Sequence, residues 1–516
     1  MALRAALALT LLCSAPLAAA AALPATVAVA IGAAVSAPVP PTFVSLSMEI
    51  DDAPRYLGAA GSTSAGWVRL MRLLAAQTPG APGPTLRIGG DSSDYSLWWD
   101  PAPAPALPPR QQYAITRADL AAYKAAVTQW GGALVLGSTL FLENNATFAG
   151  AHARGITEHL GWGLVDAVEV GNEPEGFNGE EALRPRSWGP LDYSREFYAH
   201  VLAMRAAGMP GGAFLQGAVF GGNDTAFDGS FANYTSAYAA LGVLRSVSRH
   251  HYSLSACGGG GAPPTPAALL ASVAATRAFL APFAAAARAA GVEFRVGEYN
   301  SAACGGAKGA SDTFAASLWA LDSLLALASL NATQVNVHGG PHNAYSPIQT
   351  RVPSTAPIVM PAFYGMWAAA AALANARVVL AASASGSGAG ALLGVHALQE
   401  GAGAGAGAGA SGALRVVVVH KDPSGSDARV SVAPPPSALA TGTAWAPLAS
   451  LTRLQSAGGV LEQYNISWGG LTFLGTRDGV PVPSGSPASE AVPLVGGLYT
   501  FDVPRGSAAT LRFARA

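Results

Sequence analysis

From residue 43 onward, short apolar runs of strand type are separated by longer stretches in which apolar positions recur at helical spacing. The runs fall at 43–50, 85–88, 133–138, 167–171, 213–220, 246–252, 293–298 and 334–338. Between and after them lie helical patterns at 62–77, 117–130, 147–160, 191–207, 230–241, 266–290, 311–330 and 357–374, the third interrupted by Gly150 and Gly155. Alternating strands and helices in this number predict an α/β fold, a (β/α)8 TIM barrel. From about Arg377 the helical period stops, and short strands at 392–396, 414–420, 429–432 and 499–503 predict a C-terminal all-β sandwich. The run at 26–35 precedes the first barrel strand and is expected to add an edge strand to that sandwich. The domain reading is therefore 1–22 as a signal peptide, 23–41 as a strand joining the sandwich, 42–375 as the barrel and 376–516 as the sandwich. The alternating Gly/Ala tract at 401–410 has no side chains to bury and reads as a flexible loop.

Composition changes this picture in two places. Arg4, the apolar run at 5–12 and the small residues Ala18–Ala22 have the layout of a cleaved secretory signal. Ser14 and Pro16 interrupt a run that falls short of the roughly 20 apolar residues of a membrane span. A secreted chain would lose Cys13 and keep Cys257 and Cys304, an even pair that admits either one disulfide or two free thiols. Sequons begin at Asn145, Asn223, Asn233, Asn331 and Asn465 and are candidate glycosylation sites. The charge balance, 29 Lys and Arg against 30 Asp and Glu with no long run of either sign, argues against nucleic acid or an anionic membrane as partner.

Barrel proteins carry their chemistry at the C-terminal ends of the strands, and two carboxylates stand there. Glu173 follows the fourth run, in Asn172-Glu173-Pro174, and Glu298 closes the seventh. Strands four and seven face each other across a barrel mouth. Two carboxyl groups about 5 Å apart are what retaining glycosidic cleavage requires, one to protonate the leaving oxygen and one to attack the anomeric carbon. The Asn172 amide beside Glu173 suits a bond to a sugar 2-hydroxyl, which makes Glu173 the acid/base and Glu298 the nucleophile. Glu169 reads as salt-bridged and Glu175 as solvated. His250, His251, His338 and His342 match no common metal-ligand spacing, and carboxylate chemistry needs no ion, so no metal or cofactor is expected and these histidines are read as bonding the pocket.

Several segments resemble glycoside hydrolase family 79, the β-glucuronidase and heparanase group of clan A. They are Arg87-Ile88-Gly89-Gly90-Asp91-Ser92-Ser93-Asp94, Val168 to Pro174, His250-His251-Tyr252-Ser253-Leu254-Ser255-Ala256-Cys257, Gly297-Glu298-Tyr299-Asn300-Ser301 through Gly306, Asp312 to Trp319 and Asn336 to Gly340. The resemblance runs from about Phe43 to Leu373. It implies a carbohydrate substrate with β-linked glucuronic acid, cleaved with retention. It also implies that Gly305 and Gly306 offer backbone N–H groups to the sugar carboxylate and that Tyr252 and Tyr345 bring hydroxyls into the pocket. Ala303 departs from the pattern, standing where some members place a tyrosine. Asp91, Ser92 and Asp94 border the sugar site by the same resemblance, with Asp91 accepting from sugar hydroxyls, while Glu49 and Asp51 end the first strand. A branch of the family carries cysteines at both positions of Cys257 and Cys304, on loops after neighbouring strands.

The expectation is an exo-acting β-glucuronidase. An endo-acting enzyme of heparanase type is the nearest alternative, although no basic cluster for a sulfated chain is visible. Another clan A β-glycosidase and a non-catalytic carbohydrate-binding glycoprotein are the others.

Overall fold

The computed structural model describes residues 23–515 apart from 76, 78–79, 101–105, 108–109, 142–143, 179–183, 223, 259–262, 352–353, 402–411 and 436–443. The proposed signal segment with Cys13, the sequon residue Asn223 and most of the Gly/Ala tract lie outside the described residues.

Eight parallel strands, Val44–Glu49, Leu86–Gly89, Leu134–Ser138, Val165–Val170, Leu215–Phe220, Leu244–Arg249, Glu293–Ala303 and Ala332–Gly339, pair in a closed ring. Each expected run became one of them. The sixth breaks at His250 and resumes as His251–Ser255, which pairs with the seventh strand. The apolar residues join the core beneath the helices and in most strands alternate with polar ones, as in Leu86-Arg87-Ile88 and Val168-Glu169-Val170. Their inward positions are unusually polar for a barrel: Arg87, Glu169, Gln216 and Ser246 are all buried. Arg87 Nε reaches across the interior to Glu169 Oε2, two strands away, at 2.7 Å, and Gln216 Nε2 on the neighbouring strand bonds Glu169 Oε1 at 2.6 Å. The barrel thus supplies a polar floor for whatever sits at its mouth.

The third helix, Ala146–Gly155, runs on through one π turn, Ile156–Leu160, so its glycines do not break it. Gly155 lies against the Trp98 ring, where a Cβ would come within 2.7 Å, so the glycine is kept by packing.

The second module is a circuit of nine strands: Leu448–Ser456, Glu490–Val495, Leu498–Val503, Ala428–Val432, Ala25–Ala34, Ala376–Ser385, Leu393–Glu400, Leu414–His420 and Ser507–Phe513, which pairs back to the first. They enclose a core that includes Val27, Val416, Val430, Phe501 and Leu511. Strict alternation in Leu498–Val503, with Tyr499, Phe501 and Val503 buried and their neighbours exposed, shows the period-two pattern that builds it. Ala25–Ala34 is an interior strand rather than the edge strand expected, parallel to Ala428–Val432 on one side and antiparallel to Ala376–Ser385 on the other. The two-sided pairing follows from circuit closure, which leaves the strand no free edge.

The helix Phe314–Ala328, rich in Ala and Leu, is buried at every position, consistent with its place between barrel and β-module. Its one charge, Asp322, meets Lys421 Nζ at 2.6 Å and His396 Nε2 at 2.7 Å, both from the β-module. Apolar residues of that module, among them Val417, Trp468 and Phe473, belong to the same core as the barrel. No helix among the described residues is long and apolar enough to cross a membrane.

Candidate active site

Glu298 lies at the barrel mouth with 8% of its surface exposed. Both of its oxygens take a donor: Arg87 Nη1 reaches Oε2 at 2.6 Å, and the Tyr252 hydroxyl reaches Oε1 at 2.5 Å. Arg87 is a hub. From full burial it also donates through Nε to Glu169 and through Nη2 to Asn172 Oδ1, at 2.7 Å each. Burial by itself would push the Glu298 carboxyl up, but His338, His250, Arg87 and the Tyr252 hydroxyl overcome it and hold the group well below the usual carboxylate range.

Glu173 follows the fourth strand in a left-handed conformation, φ 44° and ψ 57°, which a non-glycine residue adopts at a cost of about 1–3 kcal/mol. Its N–H is fixed to Val219 O at 3.1 Å, and Oε1 lies 2.9 Å from His250 Nδ1. The side chain is one-third exposed, open to the cleft. Here the balance tips the other way. Burial first and the Glu298 charge second raise the carboxyl far above the ordinary range, more than Arg87 and Arg249 lower it. Burial also pushes His250 down to about 4, so at neutral pH this imidazole is uncharged. It accepts a hydrogen bond from a protonated Glu173 or donates one to the ionised form. One carboxylate oxygen from each glutamate and a His250 nitrogen all lie within 4.8 Å of one another.

The surrounding residues hold this pair. Asn172 is buried, its Nδ2 bonded to Asp91 Oδ1 at 2.7 Å, so one amide hydrogen is left over. Asp91 faces the cleft, where enclosure and then the charges of Glu173 and Glu49 push it up to about 8. Glu49 Oε2 accepts from Ser92 N at 2.8 Å and Oγ at 2.5 Å, with His338 Nε2 at 3.5 Å from its other oxygen. Tyr345 is buried, with its ring 5.8 Å from that of Tyr252 and its hydroxyl 3.2 Å from Asn343 Nδ2. Gly305 and Gly306 both have φ near 80°, and a Cβ on Gly306 would come within 2.7 Å of Tyr345 N, so the loop after the seventh strand is closed to larger residues there. Cys257 and Cys304 form a disulfide that ties this loop to the one after the sixth strand.

No protein-family model and no curated protein matches the chain. Among solved structures, it is similar to a 4-O-α-L-rhamnosyl-β-D-glucuronidase from Fusarium oxysporum 12S, at 20% identity over 94% of this chain and 99% of that one, with a TM-score of 0.74. It is also similar to a GH51 arabinofuranosidase from Xanthomonas axonopodis pv. citri (13%, 95% and 100%, 0.61) and to CelM2, a bifunctional glucanase-xylanase from a metagenome library (13%, 96% and 99%, 0.59). The chain shares their fold.

Three sequence expectations change on the structure. Glu175 is half-buried and bonded rather than solvated, because Oε1 accepts from the N–H groups of Gly221 and Gly222. Asp94 does not face a sugar; fully buried, it bonds the backbone N–H groups of Leu140, Phe141 and Asn172 at 2.8–3.1 Å and ties three loops together. His251 points away from the cleft to Thr276 Oγ1 at 3.1 Å and stacks on Phe279, since successive residues of a strand face opposite sides. Glu169 is salt-bridged, to Arg87. Arg87 is the functional residue absent from the sequence expectations, and its one signal is that an arginine inside a buried strand needs a carboxylate partner. Of the sequon residues, Asn145, Asn233 and Asn465 are exposed, and Asn331 is half-buried with Oδ1 bonded to Ala37 N at 2.5 Å.

Two sets, Glu49–Glu298–His338 and Glu173–His250–Glu298, bring one ligand atom per residue within 4.8 Å. Both depend on Glu298, whose two oxygens are already taken by Arg87 and Tyr252, and the Arg87 cation opposes a second positive charge at that point.

Proposed function

We propose that the chain is a retaining glycoside hydrolase that releases terminal β-linked glucuronic acid from glycans or glycosides. The observation that carries the reading is the pair Glu173 and Glu298, with oxygens within 4.8 Å and with opposite protonation preferences imposed by their neighbours. Such spacing suits double displacement, since an inverting pair leaves room for a water at roughly 6.5–9.5 Å. In the first step Glu173 gives its proton to the departing glycosidic oxygen while ionised Glu298, held by Arg87 and Tyr252, attacks the anomeric carbon. In the second, Glu173, now a carboxylate, takes a proton from water as that water displaces Glu298. The free hydrogen of the Asn172 amide is available to a 2-hydroxyl. Glucuronate as the sugar is supported by the motif resemblance and by the likeness to the rhamnosyl-glucuronidase. The backbone at Gly305 and Gly306 is the proposed seat of its carboxylate.

A second reading, a β-glycosidase for an uncharged sugar, is favoured by Ala303, which leaves the carboxylate one contact fewer. Chromogenic β-glucuronide, β-glucoside and β-xyloside assayed side by side, with Glu298→Ala as control, separate the two. Glucuronide turnover abolished in the variant is expected; turnover of none of the three, or equal turnover by the variant, sinks the proposal.

A further inference from the structure

Two adjoining cavities open on the β-module. The larger, about 640 Å³, is walled by hydroxyls including Ser456, Ser467, Ser484 and Ser486, together with Gln455 and Arg505. The smaller, about 200 Å³, lies against the barrel and is lined by Arg351, Arg477, Gln463 and Tyr464, and Leu474 belongs to both walls. The larger volume falls in the range of ligand sites, roughly 300–1,000 Å³.

The lining has a chemical bias. Among the described residues it includes three arginines and no carboxylate. Arg351, Arg477 and Arg505 enter no ion pair among the described residues, whereas most other arginines of the chain do. Acids around the groove accept from N–H groups and not from the three guanidinium groups: Glu462 from Gln463 N and Tyr464 N, Asp312 from Gln463 Nε2, Asp427 from Arg505 N, and Asp478 from Val480 N. Tyr464 is 64% exposed and Leu474 49%, beside Leu461 at 64%. An exposed tyrosine flanked by hydroxyls and unpaired cations is an unusual surface for a monomer to leave uncovered.

We infer that this groove is a second carbohydrate site, apart from the cleavage pair, that binds a glycan chain bearing carboxylates. A sugar ring stacks on Tyr464, sugar hydroxyls bond Gln455 and the serines, and uronate carboxylates meet Arg351, Arg477 and Arg505. The charge of the ligand follows from the lining alone; that the same polymer feeds the cleavage site rests on the proposed glucuronidase reading.

The test uses the full chain, exported to the periplasm of a bacterium without N-glycosylation, so that Asn465 on the groove wall carries no sugar. Hydrogen exchange over residues 461–486 is followed while a glucuronate-bearing hexasaccharide or neutral cellohexaose is added. Protection of this segment by the acidic oligosaccharide, weakened at high salt, is expected. The double variant Arg351→Ala/Arg477→Ala, and separately Tyr464→Ala, should raise half-saturation about tenfold, equivalent to about 1.4 kcal/mol, while turnover of a small chromogenic glycoside stays unchanged. No protection of 461–486, equal protection by cellohexaose, or full protection in the double variant overturns the inference. If instead the glucuronidase reading fails, glycoside turnover is missing while the groove still discriminates.

Discussion

Replacing Tyr252 with Phe removes one hydroxyl and leaves the ring in place, 5.8 Å from Tyr345. The lost bond, 2.5 Å to Glu298 Oε1, has a charged acceptor, and such bonds are worth about 1.5–3 kcal/mol. At 1.36 kcal/mol per unit, the Glu298 carboxyl should rise by about 1–2 units. Its position in the intact protein is depressed because His338, His250, Arg87 and this hydroxyl outweigh the upward push of burial. A depressed carboxylate supplies stability that is present at neutral pH and lost as pH falls, so the variant should also lose acid stability sooner than the parent. The proposed nucleophile must be ionised, and the acid limb of kcat/KM against pH should therefore move up by about 1–2 units, with a loss of about 10–100-fold on the acid side and a much smaller one at neutral pH. The basic limb, assigned to Glu173, should stay where it is, since the variant leaves the His250 contact intact. The assay is a pH series on a chromogenic β-glucuronide with circular dichroism at each pH. An unmoved acid limb in a folded variant would refute the assignment of Glu298 as the group Tyr252 tunes, and a parallel shift of both limbs would refute the separation of roles.

Three further outcomes are expected. Glu298→Gln removes the charge that, after burial, most raises Glu173, so a carbon-13 carboxyl titration should show Glu173 losing its proton at lower pH than in the parent. Gly221→Ala places a Cβ 1.8 Å from Glu173 Oε1 and must displace that carboxyl from His250; a misplacement of about 1 Å costs on the order of 100-fold. The loss should be greater for alkyl glycosides, which need an acid, than for nitrophenyl glycosides, which leave without one. Lys421→Met strips Asp322 of its cation at the seam between barrel and β-module and should cost about 3 kcal/mol, the lower end for a broken buried pair because His396 remains, read as a lower unfolding temperature with unchanged KM.

The barrel was legible because its signal is local. Every strand is a short run of strand type, and each is followed by a helix whose apolar spacing survives even the glycines at 150 and 155. The positions of Glu173 and Glu298 were legible for the same reason, as each ends such a run. What the pattern hid was anything set by contacts across the ring. Arg87 sits between Leu86 and Ile88 and has no sequence neighbour that announces its four partners, which come from the first, fourth and seventh strands and from the turn at Asn172. Glu175 looked like a solvated residue of a polar turn because the backbone amides that capture it, at Gly221 and Gly222, lie 46 and 47 positions away. The interior place of Ala25–Ala34 was equally hidden, since alternation tells which face is buried and not how many neighbours a strand has.

The same non-local contacts decide what two chemically identical side chains can do. Glu173 and Glu298 are within reach of each other and of one histidine, so neither distance nor residue type distinguishes them. Glu298 takes a donor on each oxygen, one of them a guanidinium, and stays ionised despite burial. Glu173 is bonded by a neutral imidazole, and burial together with the repulsion of its partner outweighs Arg87 and Arg249, so it keeps its proton. Arg87 by itself lowers both carboxyls, but it bonds only Glu298. By stabilising the charge on Glu298 it preserves the charge that, after burial, most raises Glu173. In the proposed reaction, once Glu298 is consumed in a glycosyl bond that charge disappears, the Glu173 carboxyl drops toward the ordinary range, and the proton donor of the first step becomes the base required by the second.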